Sequence, residues 1–119
     1  MATKTKKNPP VNVSVSDTEN VILTITIGNA DIGGSEVKFG DSPDVLIRGK
    51  VTDFLVGKGA ALRGRTLEIT TNVLDVNPGT NKIVVTHDFD NANPSKSRYD
   101  DSVDADGDIY TLITSYVFI

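Results

Sequence analysis

The stretch Ile109-Tyr110-Thr111-Leu112-Ile113-Thr114-Ser115-Tyr116-Val117-Phe118-Ile119 contains no charged side chain. Successive side chains of a strand point to opposite faces. Ile109, Thr111, Ile113, Ser115, Val117 and Ile119 therefore share one face, and Tyr110, Leu112, Thr114, Tyr116 and Phe118 share the other. An antiparallel strand at a surface shows one wet, polar face. This one shows none, and eleven uncharged, β-prone residues without proline would aggregate if left open. Both faces need a cover. One reading is a central strand under other parts of the chain. The other is an aromatic face docked on a partner or a second copy through Tyr110, Tyr116 and Phe118, since tyrosine suits an interface.

Working back from that strand, the chain repeats the same grammar. Val11 to Ser16 alternates strictly, and Val21 to Ile27 places Val21, Leu23, Ile25 and Ile27 together. Glu36–Phe39 is a short candidate strand, and Val45–Val51 another that could run on to Val56. Leu67, Ile69, Thr71 and Val73 share a face, but the apolar phase switches at Leu74, which predicts a bulge or bend. Asn77-Pro78-Gly79-Thr80-Asn81 is a turn signal, so Leu67–Phe89 reads as a hairpin. Asp90–Asp108 reads as a polar loop. No window sustains a helical period beyond one turn near Ala60–Arg63. The expectation is an all-β, antiparallel sandwich (or barrel-like fold) of seven or eight short strands at residues 11–119, preceded by a basic arm at 1–10. Pro9 and Pro10 keep that arm extended.

With 119 residues and no cysteine, the chain must hold itself by its core alone, and zinc-thiolate and cysteine-nucleophile chemistry are excluded. No apolar run is long enough for a membrane span, and no secretory signal is present in the sequence as written, so the expected location is cytoplasmic unless export is signal-independent or a signal was trimmed. The net charge of −4 argues against nucleic acid as a partner. The charge is lopsided: residues 1–66 hold nine Lys/Arg against seven Asp/Glu, and residues 67–119 hold three against nine.

Chemistry-bearing motifs are few. Gly59-Ala60-Ala61-Leu62-Arg63-Gly64-Arg65-Thr66 approaches a phosphate-binding loop, but arginine replaces the lysine and an alternating, strand-like segment follows where a helix is needed. Glycines shaping a loop between strands account for it better. His87 is the only histidine, and no G-x-S-x-G elbow accompanies it. The acidic segment is the strongest hint. Asp100, Asp101, Asp104, Asp106 and Asp108 crowd beside Gly107, as oxygen ligands of calcium do, although the EF-hand register fails at Ile113.

The leading expectation is a non-catalytic structural or interaction module, not an enzyme and without a required cofactor. It would self-associate head-to-tail into a ring or filament, with Lys4, Lys6 and Lys7 of the arm and Tyr110, Tyr116 and Phe118 at the interface. The alternative is a ligand-binding sandwich, calcium-assisted through the aspartates above, for a glycan or peptide. Against sugar, the chain has no tryptophan and three tyrosines.

Overall fold

The computed structural model describes residues 1–119. The alternating segments form β1 (Thr3–Lys7), β2 (Val11–Val15), β3 (Asn20–Ile27), β4 (Ile32–Phe39), β5 (Val45–Gly49), β6 (Phe54–Lys58), β7 (Thr66–Leu74), β8 (Lys82–Asp90), β9 (Ala92–Asn93), β10 (Lys96–Ser102) and β11 (Ile109–Phe118). A single helical turn, α1 (Gly59–Leu62), follows β6. One sheet of seven strands runs β5-β4-β7-β11-β2-β9, with β1 also on β11, and a sheet of four runs β10-β8-β3-β6. The two pack together without closing, so the fold is an all-β sandwich and not a barrel.

Strand β11 lies at the centre of the large sheet. Along one edge it pairs antiparallel with β7, from Ile109↔Leu74 to Val117↔Thr66. Along the other it pairs parallel with two strands in succession. Lys7 of β1 lies opposite Ile113, and Val11 of β2 lies opposite Tyr116. Asn8-Pro9-Pro10 separates them because proline has no N–H to give to the ladder. Residues 3–7 of the basic arm are thus a strand of the sandwich. These two parallel pairings are the only departures from an antiparallel design.

Three local expectations are corrected. Leu67–Phe89 is not a hairpin: β7 belongs to the large sheet and β8 to the small one. The turn does form, with the Gly79 amide donating to Asn77 Oδ1 at 2.9 Å. Turn chemistry reverses the chain but does not choose the sheet it lands in. Asp90–Asp108 is not all loop. It contains β9 and the seven-residue β10, which pairs with β8 from Lys96↔Asp88 to Ser102↔Lys82. Its charges suit an edge strand, where they deter further pairing. Finally, β7 carries no bulge: its register on β11 and β4 is unbroken through Leu74, which simply faces outward.

The core is layered. Thirteen buried residues, including Val13, Leu23, Val37, Leu67, Ile69, Phe89, Tyr116 and Phe118, fill one end. Six, Val73, Ile83, Val85, Val103, Tyr110 and Leu112, fill the other. Between them each strand contributes one polar side chain: Ser35 from β4, Thr71 from β7, Thr114 from β11 and His87 from β8, all buried. Ser35 Oγ and Thr71 Oγ1 lie 2.8 Å apart, and Thr114 Oγ1 donates to the Ile69 carbonyl at 3.3 Å.

The glycine-rich segment serves packing. A Cβ on Gly59 would stand 1.8 Å from the Ser16 carbonyl oxygen, because α1 presses against the turn after β2. The Gly59 amide donates to the Glu19 carbonyl at 3.0 Å.

The two faces of β11 should differ in energetic weight. Phe118→Ala, at a fully buried position, should cost about 3–5 kcal/mol in urea unfolding. Ile113→Ala, on the half-buried outer face, should cost clearly less. Equal costs would contradict the placement.

Candidate functional site

The aromatic face of β11 is covered from within the chain. Tyr110, Tyr116 and Phe118 are 2%, 0% and 0% exposed. Phe89 of the small sheet meets Tyr116 and Phe118 edge-on, at ring-centroid distances of 4.9 and 6.0 Å. The expectation that these three residues form an interface is therefore corrected: the four-stranded sheet is their cover, and they are core.

A buried hydrogen-bonded string runs from this face to the sandwich edge. His87 Nδ1 lies 2.7 Å from Tyr116 Oη, which lies 2.9 Å from Tyr99 Oη. His87 is fully buried, and its Nε2 has no partner. Burial pushes the imidazole down to about 3. Burial, and then the Tyr99 hydroxyl, pushes the Tyr116 phenol above its usual range. None of the surface clefts is lined by His87. In this fold the histidine is a packed, neutral core group.

Of the arm lysines, Lys4 is used internally. Its Nζ donates to Asp101 Oδ1 at 2.8 Å and to the Ser102 carbonyl at 3.0 Å, while Tyr110 Oη donates to Asp101 Oδ2 at 2.9 Å. The Lys4 ammonium, more than any other neighbour, holds the Asp101 carboxyl below its ordinary value. Part of the opposite charge bias of the two halves is thus resolved within one chain. Lys6 and Lys7 are exposed and make no ion pair.

The five aspartates proposed from sequence do not converge. Asp100 pairs with Arg98 on the exposed side of β10, at 3.0 Å. Asp101 is engaged by Lys4 and Tyr110. Asp108 accepts from the Ala2 amide at 2.9 Å and the Ala105 amide at 3.1 Å, which fastens the arm to the start of β11. Asp104 and Asp106 remain exposed. No three His, Cys, Asp or Glu side chains come together closely enough to hold a metal ion by themselves. Alternation along β10 sends Asp100 and Asp101 to opposite faces, and Asp104, Asp106 and Asp108 lie beyond its end.

What stays open is the outer face of the large sheet, over which neither sheet packs. Ile32, Leu74 and Ile109 lie side by side across β4, β7 and β11. Ile32 is 57% exposed, and Met1, 92% exposed, borders the same cleft of about 510 Å³. Gly34, opposite Asn72, leaves the β4 position of the neighbouring row without a side chain. The sequence could have flagged this row: each of the three apolar residues adjoins an aspartate, namely Asp31, Asp75 or Asp108, at a strand end.

Comparison with protein-family models, curated proteins and solved structures gives no match to this chain.

His87 makes stability depend on pH with a definite sign. Its folded value lies below the ordinary 6.5, so between 6.5 and about 3 the unfolded chain binds a proton that the folded chain refuses. Stability contributed by the neutral ring is complete above pH 6.5 and should fall by up to about 1.4 kcal/mol per pH unit below it. Urea unfolding at pH 7, 6 and 5 should show a steeper decline in the parent chain than in His87→Gln. Identical slopes would contradict a buried, neutral His87.

Proposed function

We propose that this chain is a non-catalytic interaction module that associates with copies of itself through the outer face of its seven-stranded sheet. The observation that carries the reading is the uncovered apolar row of exposed Ile32 and half-buried Leu74 and Ile109, with exposed Met1 beside it. Contiguous apolar surface rimmed by polar groups marks interaction sites. Charge favours a second copy as the occupant. The row ends against loops bearing the unpaired Asp104 and Asp106, and the arm carries the unpaired Lys6 and Lys7. Acids on one copy thus have cations to meet on the next. A head-to-tail contact of this kind closes a ring or extends a filament. The interface differs from that expected from sequence: it uses the outer flank of β11, not its aromatic one.

A second reading rests on an adjoining cleft of about 500 Å³ between β3 and β4, lined by Thr24, Ile25, Gly49 and Lys50 and sharing Ile32 and Gly34 with the first. Beyond Leu23, β6 no longer pairs with β3. An extended peptide adding to that edge is the ligand this shape suits. The cleft lining contains no aromatic side chain for a sugar to stack on.

Sedimentation velocity tests the main reading. The average mass should rise with protein concentration and fall at high salt, and Ile32→Glu should abolish the rise. A strict monomer at high concentration and low salt would overturn it. Peptide binding with a monomeric chain would favour the second reading.

A further inference from the structure

Asp31, at the turn before β4, and Asp75, just past the end of β7, meet at one end of the sandwich. Asp31 is 8% exposed and Asp75 1%. Ile32↔Leu74 is the last register pair of β4 on β7, so each acid adjoins one member of that pair. Backbone bonds hold both in place. The Asp31 amide donates to the Gly28 carbonyl at 3.2 Å, the Asp75 amide to the Asp108 carbonyl at 3.0 Å, and the Gly107 amide to the Asp75 carbonyl at 2.9 Å.

Each carboxyl has one oxygen served and one left over. Asp31 Oδ1 accepts from the Val76 and Asn77 amides at 3.2 and 3.3 Å. With its nitrogen turned toward the acids, the Asn81 amide donates to Asp75 Oδ2 and to Asp106 Oδ1, both at 2.8 Å. Asp31 Oδ2 and Asp75 Oδ1 receive nothing, although the two carboxyls are within hydrogen-bond reach of each other. Two ionised carboxylates are acceptors only, so they cannot bond without a proton between them. Buried acceptors without a donor are costly, and two like charges in one dry site are more so. One proton removes both costs.

No other neighbour supplies relief. The 104–108 loop brings Asp106 and Asp108, whose oxygens accept from Asn81 and from the Ala2 and Ala105 amides. Lys82 opens β8 and Lys50 stands on the wall of the adjoining cleft, and neither makes an ion pair. Burial, opposed by the Val76 amide and reinforced by the charge of Asp75, raises the Asp31 carboxyl above its ordinary value.

We infer that Asp31 and Asp75 form a proton-sharing pair that acts as a pH-sensitive clasp between the start of β4 and the end of β7. In mild acid one proton lies between the two carboxyls and the clasp is closed. At neutral pH the proton is lost, two buried negative charges oppose each other, and the strand ends that carry Ile32 and Leu74 loosen. The sign follows from linkage. A folded value above the ordinary 3.8 means that the folded chain holds a proton the unfolded chain gives up. This contribution to stability is complete below 3.8 and is lost as pH rises through the raised value, opposite in sense to that of His87. The contact proposed between copies uses the row that begins at Ile32 and Leu74, so on that reading a closed clasp strengthens self-association.

An asparagine at either position mimics the closed clasp, because its amide nitrogen donates where the proton would. The test is thermal melting of the full chain from pH 7 to pH 4 for the parent, Asp31→Asn, Asp75→Asn and the double variant. Each single variant should melt a few degrees above the parent at pH 7, and the advantage should shrink steadily as pH falls. His87 is common to all four and cancels in the difference. The double variant should gain no more than either single one, since it sets two amide nitrogens against each other. Asp104→Asn, at an exposed position and equal in charge change, should shift melting much less. Single variants that melt below the parent, or that keep a constant advantage at every pH, would overturn the clasp. Sedimentation velocity reads the effect on association: Asp31→Asn should associate at pH 7 as strongly as the parent does near pH 5, and Asp104→Asn should not. A chain monomeric throughout, with the melting pattern intact, would remove the contact between copies and leave the clasp standing.

Discussion

The pairing of β11 on both edges is the constraint on which the rest of the molecule depends. A strand with no charge on either face has to be central. Here it sits between β7 and the broken strand β1–β2, and its inward residues Tyr110, Leu112, Thr114, Tyr116 and Phe118 span the core from end to end. The parallel pairing joins the first strands of the chain to the last, so the sheet cannot be completed until the C-terminal segment is in place. Its outward residues are shielded sideways by neighbouring strands, which brings Ile109, Ile113 and Val117 to half-burial without a third layer.

The buried polar layer follows from the same geometry. Ser35 and Thr71 stand opposite each other across β4 and β7, and Thr114 lies one inward position along on β11, opposite Ile69. Each finds a partner, apart from His87 Nε2. Buried polar groups are tolerable when hydrogen-bonded and costly when not. A one-step slip of β11 on β7 is disfavoured because it would turn Tyr110, Leu112, Tyr116 and Phe118 from the core to the outer face.

Strand positions and the sandwich class were legible in sequence because alternation is a local property. The glycine loop at 59–64 and the single turn of α1 were legible for the same reason. Pairing partners were not. Nothing local in Asn77-Pro78-Gly79 distinguishes a hairpin from a step between sheets. Lys96-Ser97-Arg98-Tyr99-Asp100-Asp101-Ser102 hid an edge strand because an edge strand is allowed to be as polar as a loop. The charge-free faces of β11 show that Tyr110, Tyr116 and Phe118 need a cover, but nothing local in them says that the cover is the chain's own second sheet. Asp31 and Asp75, 44 positions apart in sequence, carried no shared motif and met only through the β4–β7 register.

The molecule thus has a self-sufficient core, one flank left partly apolar, and one end left strongly acidic. Both exposed features descend from where β11 begins, since Ile109 opens the apolar row and Asp108 closes the acidic end. Native-state hydrogen exchange of the β11 amides is the most direct test of that arrangement. If β11 is paired on both edges and seated on the small sheet, the Leu112–Val117 amides should be among the slowest in the protein and should exchange only by global unfolding. Exchange of those amides as fast as that of the edge strand β10 would contradict it.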